Sequence, residues 1–286
     1  MLRLVGIELF KMSRKPRTYL GFAAFLVIDI LLLLGLKYGG IEGIMDRGVA
    51  SQGVQMVGSP INAVFFAWIV VGFPLVALPV ISVWIPFFTS VVSGEIMAGE
   101  HSDGTMRALL TRPINRLSLL AAKLTACILY AVVLVFFLGV VAYLFGWIWF
   151  GRGGLTTTGT MTQTMLAWFP ESEGIRRVAM SYLLTTAFST TVACIALFIS
   201  VWLNNAVGAI GGTMMLTFML AILGEIPYFH LIKPYLYTTY VFIGQKVFLD
   251  PIPVVDIHQA LITLGIYIVV FVALSAIIFR RKDILA

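Results

Sequence analysis

Six long apolar runs constrain this chain more than any other feature: Tyr19 to Leu36, Asn62 to Val92, Leu124 to Trp149, Val178 to Leu203, Ala206 to Ile226 and Ala260 to Phe279. A bilayer core about 30 Å thick is crossed by about 20 apolar residues in a helix. Inside it an unpaired backbone N–H or C=O costs several kcal/mol, so each run must close its own hydrogen bonds. Only 11% of the 286 residues are charged, against about 25% in soluble domains. The expectation is an all-α integral membrane protein of six transmembrane helices, with residues 1–286 forming a single membrane domain.

Basic residues set the orientation. With both termini on the cytoplasmic side, twelve of the 19 Lys and Arg residues fall inside: five before span one, four from Arg107 to Lys123 and three in Arg280, Arg281 and Lys282. Seven fall outside: Lys37, Arg47, Arg152, Arg176, Arg177, Lys233 and Lys246. This follows the positive-inside rule and predicts a multi-pass membrane protein with both termini cytoplasmic. The net charge of +6 sits at segment ends rather than on one solvated surface, so nucleic acid is not an expected partner. The long basic start, long apolar run and missing small-residue cleavage pattern predict a retained first helix rather than a signal peptide.

Local signals refine the layout. Leu2, Val5, Leu9 and Met12 recur at spacings of three and four beside Arg3, Lys11, Arg14, Lys15 and Arg17, which predicts an interfacial amphipathic helix. Pro74, Pro79 and Pro86 predict that the long second span is kinked or tilted. Asn204 and Asn205 leave room only for a tight hairpin between spans four and five. Tyr228 to Leu249 is aromatic but carries Lys233, Pro234, Gln245 and Lys246. Counting it as a span would put the basic termini on opposite sides, so a re-entrant or surface-lying external hairpin is expected before span six. The Gly- and Thr-rich stretch from Gly151 to Thr164 reads as an external loop. Cys127 and Cys194 lie in apolar runs and read as small packing residues.

Catalytic signatures are missing from the sequence. There is no G-x-x-x-x-G-K-[ST], so the chain has no ATP site of its own, and no H-E-x-x-H or G-x-S-x-G. His101 is placed inside and His230 and His258 outside, so no shared metal site is expected. A protein of this kind is not expected to be an enzyme or to hold a cofactor.

The stretch between spans two and three is the most informative. A short helix is expected from Ser102 or Asp103 as N-cap, with Met106, Leu109 and Leu110 on one buriable face, Arg107 beside it and Pro113 ending it; Arg116 and Lys123 mark re-entry into the membrane. The ordered set Glu100, Gly104, Thr105, Leu109, Leu110, Pro113, Arg116 and Lys123, preceded by Glu95 just after a long second span, resembles the ABC type 2 permease family of bacterial exporters. The resemblance extends over the whole chain in topology, although His101 and Asp103 have no counterpart in the family pattern. It implies that residues 95 to 113 carry a coupling helix that docks on a separate ATP-binding subunit, which would hold ATP and Mg²⁺. It also implies contact of the N-terminal helix with that subunit, and a second permease copy, with the lipid bilayer as surroundings.

Other positions carry site hypotheses. Asp29 is the charged residue well inside a span, and an intramembrane acid is by default a candidate for the substrate pathway; a hydrogen-bonded packing role is the alternative. Gly208 and Gly212 form G-x-x-x-G beside Gly211, which allows close helix approach within the subunit or between two copies. Two other classes stay open: an ion-coupled secondary transporter, which ordinarily shows several midplane charges, and a membrane-embedded enzyme. The substrate is not legible.

Overall fold

The computed structural model describes residues 2–38, 80–105, 115–150, 155–158, 166–249 and 251–282. Seven α-helices follow in order: α1 (Leu2–Arg14), α2 (Pro16–Tyr38), α3 (Val80–Ser102), α4 (Arg116–Phe150), α5 (Glu171–Trp202), α6 (Ala206–Glu225) and α7 (Val254–Arg281). Among the described residues, four of them, α4 to α7, are long and apolar enough to cross a membrane. The chain is a multi-pass membrane protein.

Helix ends fall where local chemistry puts them. Pro16 opens α2, a position where its missing N–H costs nothing. Glu171 and Glu173 occupy the first turn of α5, and Arg280 and Arg281 the last turn of α7, each charge opposing the helix dipole. Asn205 caps α6 by accepting from the Val207 N–H at 3.0 Å, so the expected tight hairpin is present between Trp202 and Ala206.

The helix α5 is the centre of the packing. Its membrane-length window is 78% buried inside the protein, against 11% for α7. A span enclosed by protein can carry hydroxyls if they find partners, and α5 buries Ser181, Thr185, Ser189, Thr191 and Ser200. Thr89 of α3 and Ser189 share a hydrogen bond of 3.1 Å. The Ser200 hydroxyl accepts from the N–H groups of Met97 and Ala98 and donates to the Gly94 carbonyl, gripping one turn of α3. Gly94 also permits close approach of α6 to α3, because a Cβ there would lie 3.2 Å from Ile210 Cγ1 of α6. Apolar clusters flank α5. One joins Phe25, Phe88, Met97, Leu119 and Leu134 to Ala193 and Leu197; the other joins Phe188, Ile195 and Ile199 to Tyr237, Ile243 and Leu264.

Several expectations are corrected. The secondary structure of the described residues is helical apart from one short pair: β1 (Leu155–Thr158) and β2 (Leu166–Phe169) run antiparallel with Leu155 opposite Phe169, so part of the expected Gly151 to Thr164 loop is strand. β-branched Thr156, Thr157 and Thr158 suit an extended backbone. Within the segment expected as a re-entrant or surface-lying hairpin, Pro227 to Phe248 holds four short 3-10 helices, which bury Tyr237, Tyr240, Ile243 and Val247. Pro227 and Pro234 prevent a continuous helix by removing donors. The helix α3 runs through Glu95 and Glu100, so Ser102 ends it rather than capping a new one; its hydroxyl donates to the Gly99 carbonyl at 2.9 Å. Gly104 then turns the chain at φ 69°, the left-handed conformation that favours glycine after a helix. Of the second span's three prolines, Pro86 lies inside α3, whereas Pro74 and Pro79 lie outside the described residues. Cys127 and Cys194 are buried free thiols.

Arg177 anchors the end of the 3-10 segment, which Thr217, Glu225 and Asp256 also bind through Tyr237, Lys233 and Lys246. Arg177 of α5 donates to the carbonyls of Val247 and Leu249 at 2.9 and 3.0 Å and to Glu173 Oε1 at 2.9 and 3.1 Å. Its guanidinium lies 3.9 Å from the Phe169 ring centroid, a cation–π contact. Arg177→Met is expected to leave those acceptors without their donor at a cost of about 3 kcal/mol. Thermal unfolding in detergent should shift downward, and limited proteolysis should open new cleavages between Tyr228 and Leu249.

Candidate functional site

Lys123, two turns into α4, has no exposed side-chain surface. A buried ammonium without partners costs several kcal/mol, and three oxygens lie within 3.0 Å of this one. Nζ donates to Glu8 Oε2 at 2.9 Å and to the Ile96 carbonyl at 3.0 Å. It also lies 2.8 Å from Glu100 Oε2, a charge contact whose angle falls outside a hydrogen bond. Lys11 closes the group from the other side, 3.0 Å from Glu8 Oε1 and 2.9 Å from Glu100 Oε1. Two carboxylates and two ammonium groups thus balance, and together they bind α1, α3 and α4. A second set lies beside the first: Glu95 Oε1 accepts from Lys15 at 2.9 Å, and Oε2 is 3.2 Å from Arg17 Nη1.

This arrangement sets the electrostatics. Burial opposes the charge on Glu100, but Lys123 and Lys11 outweigh it and hold its carboxyl below the ordinary value. Burial likewise works against Lys11, and Glu100 and Glu8 overcome it, so its ammonium is held above the ordinary value. His101 is lowered by burial and by the neighbouring Lys282, with Glu100 opposing; its Nδ1 is buried without a partner. Lys282 Nζ caps α5 through the carbonyls of Val201 and Trp202 at 2.6 and 3.2 Å, while Arg116 Nη1 donates to the Lys282 carbonyl at 3.1 Å. The start of α4 and the ends of α3, α5 and α7 therefore meet at one end of the bundle.

A cavity of about 470 Å³ opens there, lined by Lys11, Arg14, Lys15, Glu95, Glu100 and Asp103 among others. The group is built to hold helices in register; its carboxylates are occupied by cations rather than directed at a reacting atom. The sequence-predicted residues divide accordingly. Glu95 and Glu100 belong to the network, Thr105 Oγ1 donates to the Glu100 carbonyl at 3.3 Å, Gly104 makes the turn and Arg116 holds α7. Met106, Arg107, Leu109, Leu110 and Pro113 lie outside the described residues. Asp29 is in α2, but its side chain is also outside them. Gly208 and Gly212 face Leu203 and Ile199 at ordinary contact distances, whereas a Cβ at Gly211 would meet nothing within 4 Å among the described residues.

Sequence reasoning missed Glu8 and assigned Lys11, Lys15 and Arg17 to lipid headgroups; these three cations instead meet acids of α1 and α3. A signal existed: Glu8 is the one acid in the first 17 residues and lies at helical spacing from Val5 and Met12, on the face that is buried.

Lys123→Met is expected to leave Glu8 and Glu100 sharing the single charge of Lys11 and to cost about 3–5 kcal/mol, with part of the loss recovered when Glu100→Gln is added. Thermal unfolding and protease access to α1 measure both effects. The pH signs follow from the shifts. The Glu100 contribution is full above the ordinary 4.5 and is lost as pH falls through its lowered value. The Lys11 contribution is full below 10.5 and is lost as pH rises through its raised value. The neutral His101 contribution is full above 6.5 and is lost as pH falls through its lowered value; His101→Gln should remove that mildly acidic step from a melting-temperature profile.

Comparison with known proteins gives relationship without activity. The chain is 25% identical over 203 residues to "Uncharacterized protein YhcI" of Bacillus subtilis (strain 168), covering 69% of this chain and 64% of the relative, so the match spans less than two thirds of the relative's length. Residues 61–285, a region that includes α3 to α7, match the family described as "Protein of unknown function (DUF2705)", and the chain belongs to that family.

Proposed function

We propose that this chain is the membrane-spanning subunit of an ATP-binding cassette transporter, moving its substrate outward by alternating access driven by a separate ATPase subunit. The observation that carries this reading is the Lys123 group. It makes α1, the end of α3 and the start of α4 one mechanical unit, and residues 106–114 leave from that unit. A chain without a nucleotide site receives ATP energy only through such a surface. Force applied there passes along α3 to α5 through Ser200 and can turn helices against one another.

The finer reading has six spans, both termini in the cytoplasm, residence in a prokaryotic cytoplasmic membrane and two permease copies with two ATPases, which bind ATP and Mg²⁺. An ion-coupled secondary transporter is less well supported. Its coupling charges belong near the bilayer midplane, whereas the buried charged side chains among the described residues, Glu8, Lys123 and Arg177, lie in α1 or within about two turns of a helix start.

The test is co-purification of the ATPase with wild-type protein and with Leu109→Asp. A charge in the docking contact typically costs several kcal/mol, so the complex should be lost while membrane insertion persists. Crosslinks to the ATPase should appear from positions within residues 95–113, and full retention of the partner without crosslinks would remove the coupling assignment. Asp29→Asn should preserve assembly and lower substrate-stimulated ATPase activity if the pathway passes α2; unchanged transport returns that residue to packing.

A further inference from the structure

A second cavity, of about 460 Å³, lies between α4 and α5 in the half of the bundle away from Lys123. It is lined by Phe136, Val140 and Leu144 of α4 and by Ile175, Ala179 and Leu183 of α5, among others. Its volume is within the roughly 300–1,000 Å³ of ligand pockets. Gly139 lets the Tyr182 ring pack against α4 as the floor: a Cβ there would stand 3.1 Å from that ring. Its walls face outward, with Phe136 68% and Leu183 71% exposed.

Length and charge identify the occupant. From Ile175 to Thr186, both lining residues, α5 rises about 16 Å at 1.5 Å per residue. That is about half of a 30 Å hydrocarbon core, the depth of one leaflet and of one acyl chain. At the outer end, Ser172 and Arg176 are exposed on the side of α5 that continues the groove. Arg177 is engaged by Glu173, Val247 and Leu249. Its neighbour Arg176 makes no ion pair among the described residues, so its charge is available at the depth of a headgroup.

We propose that this groove is a phospholipid site: one acyl chain lies between α4 and α5, and the lipid phosphate meets Arg176 beside the Ser172 hydroxyl. The site rests on the membrane-protein reading and is independent of the transporter assignment. It holds a lipid of the leaflet at the Glu171 end, as a resident of the subunit.

The experiment uses the full chain in detergent, delipidated, then offered phosphatidylglycerol or diacylglycerol of the same chain length and examined by native mass spectrometry. Wild-type protein should retain one phosphatidylglycerol per chain in preference to diacylglycerol. Ala179→Trp fills the groove and should lower retention at least tenfold. Val269→Trp, on the 69% exposed outer face of α7, should leave it unchanged. Arg176→Gln should reduce the phosphate preference about fivefold, the effect of roughly one surface charge, while keeping the chain bound. Equal retention by the two tryptophan variants would overturn the site. So would a dimer that Ala179→Trp dissociates without loss of lipid, since a second copy would then cover the groove. Carbonate extraction of native membranes separates the two levels: release of wild-type protein would refute the membrane reading, whereas a membrane-held chain without selective retention refutes the groove alone.

Discussion

A lysine ammonium with no exposed surface has to be neutralised by its own protein. Lys123 imposes that condition, and the ends of three helices are arranged around it. Glu8 must come from α1, Glu100 and the Ile96 carbonyl from α3, and Lys11 must return to share the two carboxylates. Removing a single member exposes the others to an uncompensated charge, a costlier state than the loss of one contact. The group therefore works as a fixed joint. A joint at this position connects α1 and the end of α3 to α4, one of the helices long and apolar enough to cross a membrane.

The same logic of partnered polar groups explains the middle of the bundle. In lipid, apolar side chains gain little by touching each other rather than hydrocarbon, so helix association relies on close packing and on hydrogen bonds. The buried hydroxyls of α5, Ser189 against Thr89 and Ser200 against the α3 backbone, supply specific contacts, and Gly94 and Gly139 supply close approach. With α5 enclosed, α7 and the outer side of α4 meet lipid, which is where large exposed apolar residues such as Phe136 and Val269 are found. At the other end Arg177 repeats the pattern seen at Lys123: a buried cation whose acceptors come from separate parts of the chain, here the 3-10 segment and α5 itself. Both ends of the bundle are thus fixed by charge and its middle by hydroxyls.

Much of this was legible in the sequence because it depends on local composition. Apolar runs of span length announce α4 to α7, Asn205 announces the α5–α6 turn, and Glu100, Arg116 and Lys123 stand out as charges at membrane boundaries. What stayed hidden depends on which oxygen meets which cation. Glu8 and Lys123 are 115 residues apart, and Lys15 and Glu95 are 80 apart; no local pattern pairs them. The strand pair and the 3-10 segment were missed for a related reason, since Thr-rich and Pro-interrupted stretches specify an extended or broken backbone without saying what it packs against. By itself the sequence determined that the chain must live in a membrane as helices, because backbone polar groups in hydrocarbon have no other way to be satisfied. Only the tertiary structure decided that α5 lies at the centre and that Lys123 joins α1, α3 and α4, because burying a charge or a hydroxyl is allowed only where a distant part of the chain brings its partner.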